Sequence, residues 1–98
     1  MARIMLFWNM DGSRIPEDPK VRGTGWNKLL GGVKQDLERG LMKEWGSFIG
    51  ESAGYCVMEG DDVEISTALQ RYIPYVKFTG HPVMNVRETE DMLRQLTK

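Results

Sequence analysis

The chain has 98 residues, of which 41% are hydrophobic, so its length and composition fit one globular domain over residues 1–98. Thirteen basic and fourteen acidic side chains leave a net charge of −1, which argues against a protein built to bind a phosphate backbone. One cysteine and one histidine exclude an internal disulfide and a structural zinc site. No apolar run is long enough for a membrane span, and the start of the chain does not resemble a signal peptide. We therefore predict a cytoplasmic domain with no metal, no cofactor and no membrane partner.

The first forty residues predict a strand, a long loop and a helix. Residues 3–9 are apolar on both faces, which predicts a strand that is covered on both sides. Residues 10–25 contain prolines, glycines and mixed charges without a period, which predicts an irregular, mobile loop. From Gly25 onward the apolar spacing is helical, with Thr24 as N-cap and Gly40 just past the C-terminus. The apolar stripe of this helix consists of Trp26, Leu29, Leu30, Val33 and Leu37.

The next segment predicts a β-hairpin. Residues 41–49 and 54–59 alternate along two strands around a glycine-containing turn. Neither face of the first of these strands is uniformly apolar. Lys43 and Glu44 fall on opposite faces, and only one of them can point inward. The register of this strand therefore stays open at the level of sequence.

The remainder predicts a helix, a strand and a final helix. Gly60-Asp61-Asp62 supplies a turn and an N-cap, and the helical stripe that follows is stopped by Pro74. Residues 75–79 predict the fourth strand, which ends at Gly80-His81-Pro82. Asn85 caps a last helix whose apolar positions are Val86, Thr89, Met92, Leu93 and Leu96.

The order β-α-β-β-α-β with a C-terminal helix predicts an α+β fold of the ferredoxin-like type. In this arrangement two helices cover one face of a four-stranded antiparallel sheet and leave the other face open. Here nearly every strand also presents a Trp, Phe, Tyr or Met side chain to that open face, whichever register is chosen. A large apolar surface is a binding surface by default, so we predict a homodimer that associates through the sheet faces.

Three passages of the sequence resemble those of a known superfamily. The stretch from Gly54 to Asp62 is similar to the passage "G-aromatic-x-aliphatic-x-E-x-D-D" of small dimeric α+β-barrel proteins. Tyr72-Ile73-Pro74, and Pro82-Val83 before the last helix, are also similar to passages of these proteins. The resemblance is to the small, uncharacterised branch, whose relatives include muconolactone isomerases and antibiotic-biosynthesis monooxygenases. It implies a homodimeric barrel, and it does not imply one reaction.

The candidate site is a set of strand residues that remain candidates in most of the possible strand registers. Aromatic side chains would clamp a flat ligand, and His81 or Glu44 would handle a proton or a hydroxyl. The alternative is that the tryptophans fill the core and the dimer interface, and that His81 is only a turn residue. Cys56 lies in a central strand without a neighbouring cation, which favours a buried structural role. The predicted ligand-binding residues are Trp8, Asn9, Trp45 and Tyr55.

Three classes of function follow. The first is a dimeric barrel that binds a small aromatic or quinone-like molecule, with or without cofactor-independent catalysis. The second is a non-catalytic dimeric sensor or interaction module that uses the same cleft. The third is an RNA-binding domain with Tyr55 and either Phe7 or Trp8 as stacking platforms. Net charge and the lack of basic residues around the third strand weigh against nucleic acid, so we do not predict it as a partner.

Overall fold

The computed structural model describes residues 2–98. Four strands and three α-helices follow one another, with one short 3-10 helix, Gly12–Arg14, after the first strand. In chain order the elements are β1 (Ala2–Met10), α1 (Pro19–Glu38), β2 (Met42–Ser47), β3 (Ala53–Gly60), α2 (Asp62–Gln70), β4 (Val76–Pro82) and α3 (Val86–Leu96). No helix in this part of the chain is long and apolar enough to cross a membrane.

The strands form one antiparallel sheet in the order β2-β3-β1-β4. Two crossover helices, α1 and α2, connect β1 to β2 and β3 to β4. The α+β class is therefore confirmed, and the order of elements and of strands broadly fits the predicted ferredoxin-like arrangement.

The two faces of the sheet differ in how far they are covered. On β1, Leu6 and Trp8 are buried, whereas Phe7 between them is 38% exposed. Side chains alternate between faces along a strand, so the first pair points towards the helices and Phe7 points to the other side. We call the side of Phe7 the open face. The core lies on the helix side, around Leu6, Trp8, Val33, Leu41, Met42, Cys56, Met58, Ile65, Ala68, Tyr72 and Val76.

Helix α1 begins six residues earlier than the sequence indicated. Asp18 is its N-cap, with the carboxylate accepting from the Lys20 N–H, and Pro19 is the first helical residue. Proline is favoured there because its missing N–H has no partner in the first turn. The prediction of a loop over residues 10–25 is thus wrong from Pro19 onward, and the prediction of Thr24 as N-cap is wrong as well. Gly23 and Gly25 lie inside the helix.

A β-bulge explains why β2 has no uniformly apolar face. Met42 pairs with Met58, and Glu44 pairs with Val57. Two steps along β2 therefore correspond to one step along β3. The extra residue is Lys43. A bulge resets the alternation, and Met42 and Trp45 therefore both face the helices although their separation is odd. Strand β4 is longer than predicted and includes His81, which pairs with Met5.

Candidate functional site

The structure divides the six candidate residues between the two faces of the sheet. Trp8 and Trp45 lie on the helix side, in the core or packed against it. The other four lie on the open face at separate points of four strands: Asn9 on β1, Glu44 on β2, Tyr55 on β3 and His81 on β4. One chain therefore does not bring all six into a single site.

The two residues proposed for proton transfer lie far apart. A single row across the sheet runs from Glu44 through Val57 and Met5 to His81. Strands are spaced by about 4.8 Å, so three spacings separate the backbones of Glu44 and His81 by roughly 14 Å. An acid–base pair needs both groups within hydrogen-bond reach of one substrate. Within one chain these two residues cannot act as such a pair.

Glu44 and His81 each contact a different aromatic side chain. The hydroxyl of Tyr55 donates to Oε1 of Glu44 at 2.7 Å, because the Tyr55 ring lies across Gly46, which has no side chain in its way. This hydrogen bond raises the pKa of Tyr55. His81 contacts the ring of Phe7 edge-on, with the ring centroids 6.2 Å apart. Glu44 thus orders Tyr55 on the surface, and His81 packs as an exposed aromatic side chain.

The two tryptophans form a stacked pair on the other side of the sheet. The rings of Trp8 and Trp45 are nearly parallel, at an angle of 9°, with centroids 5.4 Å apart. Gly54 lies opposite Trp8 on β3, and a side chain there would strike the Trp8 ring. The Trp8 indole N–H donates to the Tyr55 carbonyl at 3.3 Å, which satisfies the polar group of a buried ring. A flat apolar surface results.

This surface borders a cavity of about 400 Å³ between α1 and the sheet. The sheet contributes Trp8, Trp45 and Phe78, and the helix contributes Trp26, Leu29 and Leu30. Only Val33 and Asp36 of the twenty residues of α1 are buried, so most of this helix lies away from the core. Polar side chains border the cavity at Asn27, Ser47, Glu51 and Ser52. The site is therefore an apolar slot with a few polar groups.

A second, shallower cleft adjoins the cavity, since Trp26, Ser47, Glu51 and Ser52 border both. It runs between the start of α1 and the β2-β3 turn. The Arg22 guanidinium lies over the Trp26 ring, 5.9 Å from its centroid, and donates to the carbonyls of Pro16 and Glu17. Ile49, at the tip of the turn, is fully exposed. The cavity thus continues into a cleft on the surface, where a ligand could enter.

The most buried charged residue was not identified from the sequence. Asp36 is 1% exposed, and its carboxylate accepts a hydrogen bond from the Tyr72 hydroxyl at 2.8 Å and two from the Arg39 guanidinium. Arg71 lies 3.7 Å from the same carboxylate. Asp36 stands three residues after Val33, on the apolar side of α1, and Arg39 follows three residues later. That spacing was the available signal for a buried ion pair on this helix.

Cys56 and Tyr72, which both border the cavity, are not set up for proton transfer or nucleophilic attack. Burial, followed by the hydrogen bond to Asp36, raises the pKa of Tyr72. Burial raises the pKa of the Cys56 thiol to about 12. A nucleophilic cysteine needs the opposite shift, towards the thiolate. Both residues border the cavity as neutral side chains. Within residues 2–98, no three His, Cys, Asp or Glu side chains lie close enough together to hold a metal ion.

Comparison with protein-family models and with curated proteins identifies no relative. No family model matches the chain. No curated protein is significantly similar to it. The resemblance of residues 54–62 to dimeric α+β-barrel proteins therefore stays a resemblance of short motifs, and the assignment of function depends on the geometry.

Proposed function

We propose that the protein binds a small, flat, largely apolar molecule in the cavity between α1 and the sheet. The observation that supports this most directly is the stacked pair of Trp8 and Trp45 beside a cavity of about 400 Å³. Ligand sites commonly enclose about 300–1,000 Å³, are lined by apolar and aromatic side chains and carry a few polar groups. An aromatic or quinone-like compound has the shape and surface that suit such a slot.

The proposed role is binding rather than catalysis. The cavity is bordered by a thiol whose pKa is raised to about 12 and by a phenol whose hydroxyl is bonded to Asp36. General acid–base catalysis works best with groups that titrate near the operating pH. A sensor or carrier of a small molecule therefore suits the site better than a cofactor-independent enzyme does.

Ligand titration with matched variants tests this proposal. We expect 1,4-naphthoquinone, or the non-reactive 2-naphthol, to quench tryptophan fluorescence and to raise the melting temperature of the wild-type protein. Trp45→Ala removes half of the stacked pair and should abolish both effects. Leu29→Trp fills the cavity without removing an aromatic side chain, and it should likewise abolish the fluorescence quenching and the rise in melting temperature. Phe7→Ala changes the open face and should leave binding intact.

The outcomes separate the two faces of the sheet. Loss of binding in Phe7→Ala, with binding retained in Leu29→Trp, would place the ligand on the open face and contradict the proposal. Absence of any response to either probe at millimolar concentration would contradict it as well.

We further propose that the open face mediates a homodimer. Its centre is apolar, with Met5, Phe7 and Val57 on adjacent strands, and charged residues surround that centre at Glu44, Glu59 and Lys77. An apolar centre with a polar rim is the usual anatomy of a protein interface. The resemblance to dimeric barrel proteins supports the same arrangement. Sedimentation at micromolar concentration should give twice the chain mass of 11.2 kDa, and a monomer would contradict the proposal.

Nucleic acid is the competing occupant of the open face. Phe7 and Tyr55 are directly paired there on the first and third strands, as an RNA-binding domain would require. However, the Tyr55 hydroxyl is bonded to Glu44, and Glu59 lies on the same face. Arg3 and Lys77 on this face only offset these two carboxylates, so the face lacks the excess of positive charge that binding to phosphates requires. The geometry therefore favours a protein partner.

A further inference from the structure

Helix α3 is amphipathic, and none of its residues is buried. Its apolar side chains, Val86, Met92, Leu93 and Leu96, form a stripe with Thr89 on one side of the helix. Val86, Leu93 and Leu96 are 75%, 49% and 71% exposed. The helix has a complete capping box, in which the Asn85 side chain accepts from the Glu88 N–H and Glu88 accepts from the Asn85 N–H. A well-formed helix thus presents an uncovered apolar stripe.

The helix also extends away from the rest of the chain. The described residues span 60 × 25 × 19 Å, whereas a nine-residue strand or a twenty-residue helix spans only about 30 Å. The eleven residues of α3 and their three-residue tether account for the extra length. The tether is held at its start, where the Val83 N–H donates to the Arg3 carbonyl at 2.9 Å. The apolar stripe of α3 is therefore presented outward, beyond the sheet.

A helix in this position requires a partner. Isolated helices shorter than about 12–15 residues are marginal in water, and α3 has eleven residues. Its polar side carries both signs of charge, with Arg87, Asp91 and Arg94, and an ion pair joins Arg94 to Asp91. An interfacial membrane helix or a nucleic-acid arm would instead be predominantly basic on that side. Protein is the partner that suits both sides of the helix.

We propose that α3 of each copy packs its apolar stripe across the open face of a second copy, and this inference rests on the proposed homodimer. The open face is the other apolar surface that no helix of the described chain covers, around the half-buried Met5 and the 38%-exposed Phe7. Its width of four strands, about 14 Å between the outer backbones, matches the length of α3, about 16 Å. Because α3 buries none of its residues on its own chain, its apolar stripe is available to the open face of a second copy.

Reciprocal exchange also provides the area that a dimer needs. Stable interfaces bury about 800 Å² on each partner. A single α3 helix, whose apolar stripe has five side chains, covers only part of that area. In a two-fold dimer each chain both gives an α3 helix and receives one, so every contact occurs twice. Exchange of both copies of α3 doubles the area that one helix covers, which brings the interface closer to the usual range.

Matched charge substitutions on α3 test the proposal. Leu93→Asp places a carboxylate in the apolar stripe, and Gln95→Asp makes the same charge change on the polar side of the same helix. We expect Leu93→Asp to raise the dimer dissociation constant by ~30-fold or more in analytical ultracentrifugation, as for a central interface residue. Gln95→Asp should leave it within about threefold. Neither residue is buried in the chain, so circular dichroism should show both variants folded.

A spin label on α3 shows which surface of the partner this helix contacts. The Gln95→Cys, Cys56→Ala double variant carries a nitroxide on α3 and is mixed with ¹⁵N-labelled wild-type protein. Packing across the partner's sheet should broaden the amide signals of residues 5–7 and 55–57 in the labelled chain. Broadening confined to α3 would show that the two helices pair with each other instead, and it would overturn the inference.

Different results would contradict the homodimer and the exchange of α3. A monomeric wild-type protein would overturn both the homodimer and the exchange of α3. A dimer that Leu93→Asp leaves intact would overturn the exchange alone. A monomer that sediments with phosphatidylglycerol vesicles would instead assign the stripe of α3 to a lipid surface.

Discussion

The hydroxyl of Tyr72 donates a hydrogen bond of 2.8 Å to Oδ2 of Asp36, which joins the segment after α2 to the C-terminal half of α1. Both side chains are buried, and Arg39 binds the other carboxylate oxygen. A buried carboxylate is tolerated only when it is paired and hydrogen-bonded. This contact therefore anchors one half of α1, while the other half borders the cavity.

Removal of the Tyr72 hydroxyl should destabilise the fold. Tyr72→Phe leaves one oxygen of a buried carboxylate without its hydrogen bond, so we expect the free energy of unfolding to fall by about 1–3 kcal/mol in urea denaturation. Tyr55→Phe is the matched control, because its bond to Glu44 is exposed and its loss should change the free energy by no more than ~0.5 kcal/mol. Equal effects of the two substitutions would contradict a structural role for Asp36.

Two glycine substitutions should have opposite effects. In Gly54→Ala the new Cβ would lie 2.5 Å from the Trp8 ring and would also strike the Gly46 carbonyl, so we expect a loss of about 1–3 kcal/mol. Gly31 lies within α1 with nothing near its Cβ position, and Gly31→Ala should stabilise the protein by ~0.5–1 kcal/mol. Thermal and urea unfolding of both variants measure this. A stable Gly54→Ala variant would show that Trp8 can move off β3.

The thiol of Cys56 should be inert in the folded protein. Burial raises the pKa of Cys56 to about 12, well above that of a free thiol, so the thiolate is scarce at pH 8. We expect reaction with an aromatic disulfide reagent at pH 8 to be slow until urea unfolds the chain. Because Cys56 borders the cavity, a bound ligand should slow it further. Fast labelling of the native protein would contradict both points.

The same shift predicts a pH dependence of stability. The raised pKa means that the folded state holds the thiol proton where the unfolded state has lost it. The stabilising contribution is thus complete below about pH 9 and is lost as the pH rises from there towards about 12. In Cys56→Ala the decline of the unfolding free energy over this range should be shallower than in the wild-type protein. Identical slopes would indicate that other groups dominate.

The pKa of Tyr55 should respond to Glu44. The hydrogen bond to the carboxylate is the main cause of the raised phenol pKa, because loss of the hydroxyl proton would set two negative charges against each other. Glu44→Gln should lower the Tyr55 pKa, as measured from the ring signals by NMR. Glu51→Gln, on the β2-β3 turn, should leave it unchanged. A Tyr55 pKa that does not move in Glu44→Gln would show that this pair does not persist in solution.

The order of the elements could be predicted from the sequence because it depends on local patterns. The capping box at Asn85 and the apolar spacing of α3 are contained in a few consecutive residues, and both are found in the structure. The hairpin, the helix after Asp61 and the alternation along β1 are local in the same way. The start of α1 was missed because Gly23 and Gly25 argued against a helix that Asp18-Pro19 in fact begins.

The candidate site depended on relations that no local pattern contains. A single bulge at Lys43 decides which side chains of β2 face the helices, and strand order places Glu44 and His81 on opposite edges of the sheet. Asp36 and Tyr72 meet across thirty-six positions of the chain, and Trp8 and Trp45 stack from strands that are not neighbours in the sheet. Periodicity determines which residues share a face of one element. Only the packing of elements decides which faces meet, and it alone leaves space for a ligand between them.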